Sequence, residues 1–196
     1  MKFTRRYECP DETNMYYVQK SQGGWNPGLV KPAGCKLIFC NCVFYVIGRF
    51  NEIAGADSCK WLASVNAENM VSVARQQNLT ISQVPTLGGC MVWEGIGSAA
   101  GHVAIVESID GSGIITSESG WNAPRAWWTQ ARSGSNWGQN STYKYLGCIQ
   151  NPAFPFDSEP SKIYRVQVGA FASYDNAKRY AEQLKKQGIE CFIVTG

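Results

Sequence analysis

The stretch Gly101-His102-Val103-Ala104-Ile105-Val106-Glu107-Ser108-Ile109-Asp110-Gly111-Ser112-Gly113-Ile114-Ile115-Thr116-Ser117-Glu118 places two β-branched, apolar arms around an Asp-Gly turn signal. That pattern predicts a β-hairpin. The first arm sets His102, Ala104 and Val106 on one face, because side chains alternate along a strand. The turn decides what the second arm offers them. If Ile109-Asp110-Gly111 forms a three-residue loop with Gly111 left-handed, Ala104 pairs with Thr116 and His102 with Glu118, with Cβ atoms about 5 Å apart. A strict two-residue loop slips the pairing by one and turns Glu118 to the other face.

Outward from the hairpin, strands are predicted at Cys90 to Trp93 and at Tyr143 to Ile149. Upstream, Val43, Val46, Ile47, Phe50, Ile53 and Ala54 recur at helical spacing, with Asn41 as N-cap and Gly55 as stop. A second helix is predicted from about Ala67 to Gln77. The first thirty-five residues are turn-rich, and Gly23-Gly24-Trp25-Asn26-Pro27-Gly28 reads as a loop with one aromatic anchor. Residues 120–140, rich in Trp, Gly and Ser, also read as loop. The fold class is α+β, with N-terminal helices packed on an antiparallel sheet.

A Pro-rich linker is expected at 153–162, separating a domain of residues 1–152 from a tail of residues 163–196. The tail reads strand (Tyr164 to Ala170), helix (Tyr174 to Gln187), strand (Glu190 to Val194). This β-α-β element is too short to bury its own apolar face.

With 196 residues, 44% hydrophobic and 17% charged, the chain is too apolar for general disorder. A net charge of +3 lacks the basic stripe of a nucleic-acid binder. No apolar run reaches membrane-span length, and Met1 to Glu8 has no apolar signal-peptide core, so a cytoplasmic protein with mostly free thiols is expected. The chain has eight cysteines and one histidine. Cys35, Cys40 and Cys42 cluster, but no second well-spaced Cys/His pair completes a zinc site, and no metal or other cofactor is expected. Any imidazole chemistry must run through His102.

Cys42 opens the hydrophobic helix, where the macrodipole and free N–H groups favour a thiolate. Position alone leaves it open between a nucleophile and a buried small hydrophobe. With His102 as base and Glu118 orienting it, the chain order Cys, His, Glu suits a thiol hydrolase of papain-like logic.

The segments Asn41 to Ile53, Asn66-Ala67-Glu68-Asn69, Gly101 to Glu107 and Thr116-Ser117-Glu118-Ser119-Gly120-Trp121 resemble the CHAP amidohydrolases, particularly those in endolysins of phages of clostridial-type bacteria. Gly23 to Pro27 and Leu146 to Pro152 are similar to that subgroup as well. The resemblance implies cleavage of a peptidoglycan amide, either between muramic acid and L-Ala or within the stem peptide or cross-link. It implies Cys42, His102 and Glu118 as catalytic residues, with the oxyanion held by the Cys42 N–H and the Asn41 side chain. Many relatives carry Asn two residues after the Glu; here Gly120 stands there, and Asn122 is the substitute. Calcium is not expected, since residues 31–41 hold no carboxylate. Trp25, Trp121 and Trp127 are candidate substrate contacts, Trp25 because its loop reads as exposed.

The tail resembles the first half of a SPOR domain, a module that binds septal peptidoglycan, and a homodimer through it is expected, since an unpaired strand edge is a template for a partner. Peptidoglycan is thus the expected partner, and release from the host cytoplasm at lysis the expected setting. The competing readings are a non-catalytic wall-binding or phage structural component and a bacterial autolysin.

Overall fold

Residues 3–11, 13–28, 40–55, 62–97, 99–110, 113–121, 127–153, 168–189 and 191–194 are described in a computed structural model. The chain divides into two compact units, Met1–Phe156 and Asp157–Gly196.

In the first unit, α1 (Cys42–Ala54) starts where the sequence supplies a cap. Asn41 Oδ1 accepts the Phe44 N–H at 3.1 Å, and the helix stops at Gly55, whose left-handed backbone (φ 65°) gives its N–H to the carbonyls of Asn51 and Glu52. Unlike a surface helix, α1 is buried nearly all round, from Val43 to Asn51. The N-terminal segment covers its outer side. Tyr17 stacks on Tyr45 with ring centroids 5.7 Å apart, and Asn26 Nδ2 donates to the carbonyls of Tyr16 and Phe44. Gly48 permits this approach, because a Cβ there would lie 2.7 Å from the Tyr16 carbonyl oxygen. The second predicted helix is present as a 3-10 turn (Ala67–Asn69) running into α2 (Met70–Gln76).

The strands are β1 (Ile81–Ser82), β2 (Cys90–Gly95), β3 (His102–Asp110), β4 (Gly113–Glu118), β5 (Trp128–Arg132) and β6 (Tyr143–Ile149), all antiparallel in the order β1-β6-β2-β3-β4-β5. The architecture is therefore the expected α+β arrangement, with α1 and α2 against one face (Val92, Val103, Ile105, Ile149) and a smaller apolar cluster of Met91, Trp93, Ala104, Val106, Ile114 and Cys148 on the other. Two strands are new. β5 lies inside the stretch read as loop, because as an edge strand with Thr129, Gln130 and Ala131 exposed it has no hydrophobic alternation to announce it.

The hairpin register differs from the three-residue-loop pairing. Asp110 pairs with Gly113, Ile109 with Ile114 and Ser108 with Ile115, a register three residues away from that pairing and of the parity that would turn Glu118 away from His102. A bulge between Val106 and Ser108 then resets it, so that Val106 pairs with Thr116 and Ile105 with Ser117. His102 is the partner of Trp93 on β2, and the reset register brings Glu118 level with Ala104 rather than with His102. Parity is restored, and Glu118 reaches the imidazole along the diagonal.

The bulged residue, Glu107, is 1% exposed and anchored to α1. Its oxygens accept from Arg49 Nε and Nη2, each at 2.8 Å, from the Arg6 N–H at 2.9 Å and from the Ser117 hydroxyl at 2.7 Å. Arg49 Nη1 also donates to Glu52 at 2.8 Å, and Glu52 accepts from Arg6, Asn14 and Tyr17. Every charge in this cluster is paired, as burial requires.

Cys40 is disulfide-bonded, which corrects the expectation of a free thiol there; Cys42, Cys90, Cys148 and Cys191 have free thiols. No helix of the described residues is long and apolar enough to cross a membrane.

In the second unit, α3 (Tyr174–Lys186) is the expected helix, with Leu184 as its buried residue and Phe171 packed on Tyr180 at 5.4 Å between centroids. The flanking strands are not found among the described residues: Val168 to Ala170 and Cys191 to Val194 are irregular, while 164–167 and 190 lie outside those described. The linker expectation at 153–162 falls mostly on residues outside those described.

Candidate active site

Cys42 is the first residue of α1 and is partly exposed. Its thiol interacts with the His102 imidazole. His102 opens β3, and its Nε2 lies 2.8 Å from Glu118 Oε2, which leaves Nδ1 for the sulfur. One imidazole thus bridges a helix N-terminus and a strand end. The ring is held between two indoles, Trp93 at 6.1 Å and Trp128 at 6.4 Å between centroids, the latter within 5° of parallel.

Burial disfavours a charged imidazole, yet the hydrogen bonds to Cys42 and Glu118, with their charges, outweigh it and push His102 up to about 9. Glu118 is shifted the opposite way. Its burial would raise the carboxyl, but hydrogen bonds from His102 and Arg132 and their positive charges hold it at about 2. At neutral pH the imidazole carries a proton beside the sulfur, and the carboxylate is ionised behind it.

Glu118 is fully buried and saturated. Oε1 accepts Arg132 Nε at 2.8 Å and the Thr116 hydroxyl; Oε2 accepts Arg132 Nη2 at 2.8 Å beside His102. Arg132 and Trp93 were missed as site residues. Arg132 sits on β5, the strand with no hydrophobic signal, and pairs with Ile114 in a ladder whose other end joins Trp128 to Glu118.

The other candidates are spread differently. Asn41 spends its Oδ1 on the helix cap, so only its Nδ2 is free to face an oxyanion. Asn122 lies outside the described residues. Trp121, three residues past Glu118, is 58% exposed. Trp25 is not the free-standing aromatic its loop suggested: it meets Tyr16 edge-on at 5.1 Å and packs on the α1 core, as does half-buried Trp127. Large aromatic rings gain more by burial than by exposure. Among the described residues no group of His, Cys, Asp and Glu is placed to hold a metal ion.

The CHAP domain model matches residues 32–120, and the SPOR domain model matches residues 148–195. No curated protein matches the chain. Among solved structures, the 2.15 Å crystal structure of an N-acetylmuramoyl-L-alanine amidase from Staphylococcus aureus is 20% identical with a TM-score of 0.39, covering 65% of this chain and 31% of that one. The present chain spans about a third of that protein's length. Residues 32–120, which include Cys42, His102 and Glu118, are a CHAP domain, and residues 148–195 are a SPOR domain.

Proposed function

We propose that this protein is a peptidoglycan hydrolase that cleaves a cell-wall amide through a thiol mechanism, with Cys42 as nucleophile, His102 as acid and base, and Glu118 as the group that orients His102. The observation that carries it is the run of interacting groups from the thiol at the first residue of α1, through the only histidine, to a buried, ionised carboxylate hydrogen-bonded to that histidine. A thiolate at Cys42 attacks the amide carbonyl carbon, and the oxyanion is met by the Cys42 N–H and Asn41 Nδ2. The imidazolium gives its proton to the departing amine, leaving a thioester. Water then gives a proton to His102 as it attacks the thioester, and Cys42 leaves as the thiolate. Glu118 keeps one tautomer in place and stabilises the imidazolium through both steps.

Trp121, together with Trp25 and Trp127, is the proposed surface for the glycan or stem peptide. The SPOR segment is the proposed wall-binding part. Lysis of a bacterial host by a phage, from the cytoplasmic side, is the proposed setting, and it follows the sequence resemblance.

Cys42→Ala is expected to abolish release of new amino groups from purified peptidoglycan while leaving wall binding intact. Mass spectrometry of the wild-type digest identifies the amide cut, and turnover retained by the variant overturns the mechanism.

A further inference from the structure

We propose that Arg132 is the positioning residue of this site: its guanidinium grips both oxygens of Glu118 and thereby fixes the carboxylate that orients His102. The inference rests on the Cys-His-Glu reading above. Glu118 has no access to solvent, and an imidazole, whose charge comes and goes during turnover, is not a permanent counter-ion for it. Arg132 is permanent, since a guanidinium does not lose its proton in the working range. Its fork reaches Oε1 through Nε and Oε2 through Nη2, both at 2.8 Å. With Thr116 on Oε1, Oε2 is left with one further direction, and His102 Nε2 occupies it.

Arg132 is itself held on every side. Its guanidinium lies 4.8 Å from the centre of the Trp93 ring, Nε also donates to Thr116 Oγ1 at 3.1 Å, and Nη1 donates to the Trp137 carbonyl at 3.0 Å. That carbonyl belongs to an unusual turn, in which the non-glycine residues Asn136 and Trp137 both have positive φ, 55° and 52°. Backbone in this region persists only where its surroundings impose it. Here Trp93 Nε1 takes the Asn136 carbonyl at 3.1 Å, and the Asn136 side chain donates to the Tyr143 carbonyl and accepts the Tyr145 N–H, each at 2.9 Å. A rigid chain therefore runs from β6 through the turn and Arg132 to Glu118, and from there to His102.

Among the described residues, the titratable groups around this centre include Glu118 on β4, His102 on β3, Cys42 on α1, Arg132 on β5, Cys90 on β2, Glu68 beside Gly101 and, across Trp93, Tyr145 on β6. Arg132 supplies the permanent positive charge in that set. Removing it favours proton uptake at both Glu118 and His102.

The test uses the full chain with Arg132→Gln and Arg132→Lys. The His102 imidazole is followed by NMR against pH, an unambiguous signal because the chain has one histidine; kcat and KM on purified peptidoglycan are measured over the same range. Arg132→Gln is expected to move the imidazole midpoint, and with it the basic limb of kcat/KM, upward by about one pH unit, the size of a lost close charge partner. It should lower kcat roughly ten-fold or more with KM nearly unchanged. Arg132→Lys, which keeps charge but not the fork, should return both midpoints to wild type and leave kcat depressed. Wild-type midpoints in Arg132→Gln overturn the proposal. If that variant fails to fold, Arg132→Lys decides alone: wild-type kcat overturns it and a depressed kcat with an unmoved midpoint supports it. The NMR midpoint needs no turnover, so a shifted imidazole in a protein inert toward peptidoglycan refutes the proposed activity and leaves the role of Arg132 standing.

Discussion

Replacing Arg49 by Met strips the bulged Glu107 of two of its four hydrogen bonds and of its counter-ion, while Glu52 keeps Arg6. Breaking a buried pair by removing one partner costs about 3–5 kcal/mol, because the remaining charge is stranded. The lower end applies here, since Ser117 and the Arg6 N–H still face Glu107. About 3 kcal/mol is a large share of a domain's 5–15 kcal/mol and lowers Tm by roughly 6–12 °C at this size. Glu107→Leu alone leaves Arg49 with Glu52 and the Thr4 carbonyl but removes two of its hydrogen bonds, whereas the double variant exchanges the pair for apolar side chains and should recover most of the loss, with a coupling of about 2 kcal/mol or more. Urea unfolding followed by Trp fluorescence measures the cycle. All seven tryptophans lie at or before Trp137, so the signal belongs to the first unit. A cost below about 1 kcal/mol for Arg49→Met, or costs that simply add in the double variant, would refute the assignment of this pair as the tie between α1 and the bulge.

Two further outcomes follow from the shifted ionisations. His102 is raised from 6.5 to about 9 in the folded chain, so its contribution to stability is complete below pH 6.5 and fades as pH rises through 9. Activity should fall over that same upper range, and the NMR titration of His102 should share the midpoint of the basic limb of kcat/KM. Glu118 is lowered from 4.5 to about 2, so its contribution is present above pH 4.5 and is lost as pH falls toward 2. Glu118→Gln removes that dependence and sets an amide N–H against the Arg132 fork in one flip state or against His102 in the other. Loss of the orienting carboxylate should lower kcat on the order of 10² to 10⁴-fold; a variant within ten-fold of wild type would show that Glu118 does not orient the imidazole.

Much of the first unit was legible along the chain, because its signals are local. Asn41 and Gly55 bound α1, and apolar spacing marks the helix they enclose. The β-branched runs at Cys90 to Trp93, His102 to Ile109 and Ile114 to Glu118 all become strands. β5 was not legible, since an exposed edge strand of Thr, Gln and Ala is held by its neighbour's ladder and leaves no apolar pattern. With β5 went Arg132 and the backing of Glu118. The strands expected in the tail fall in part on residues 164–167 and 190, outside those described.

The sequence by itself singled out Cys42, by its place at a capped helix start, and His102, by its being alone. It also placed Glu118 in the facing arm, but not on which face, because a strand's two faces differ by a single residue of register. Only the tertiary structure decided that. The hairpin closes in the register that would turn Glu118 away, and one extra residue at Glu107 turns it back. What holds that residue out of the ladder is Arg49, two turns along the helix that carries Cys42, a contact between chain positions 58 apart. Local propensity cannot encode such a contact, since it exists only once helix and sheet have packed.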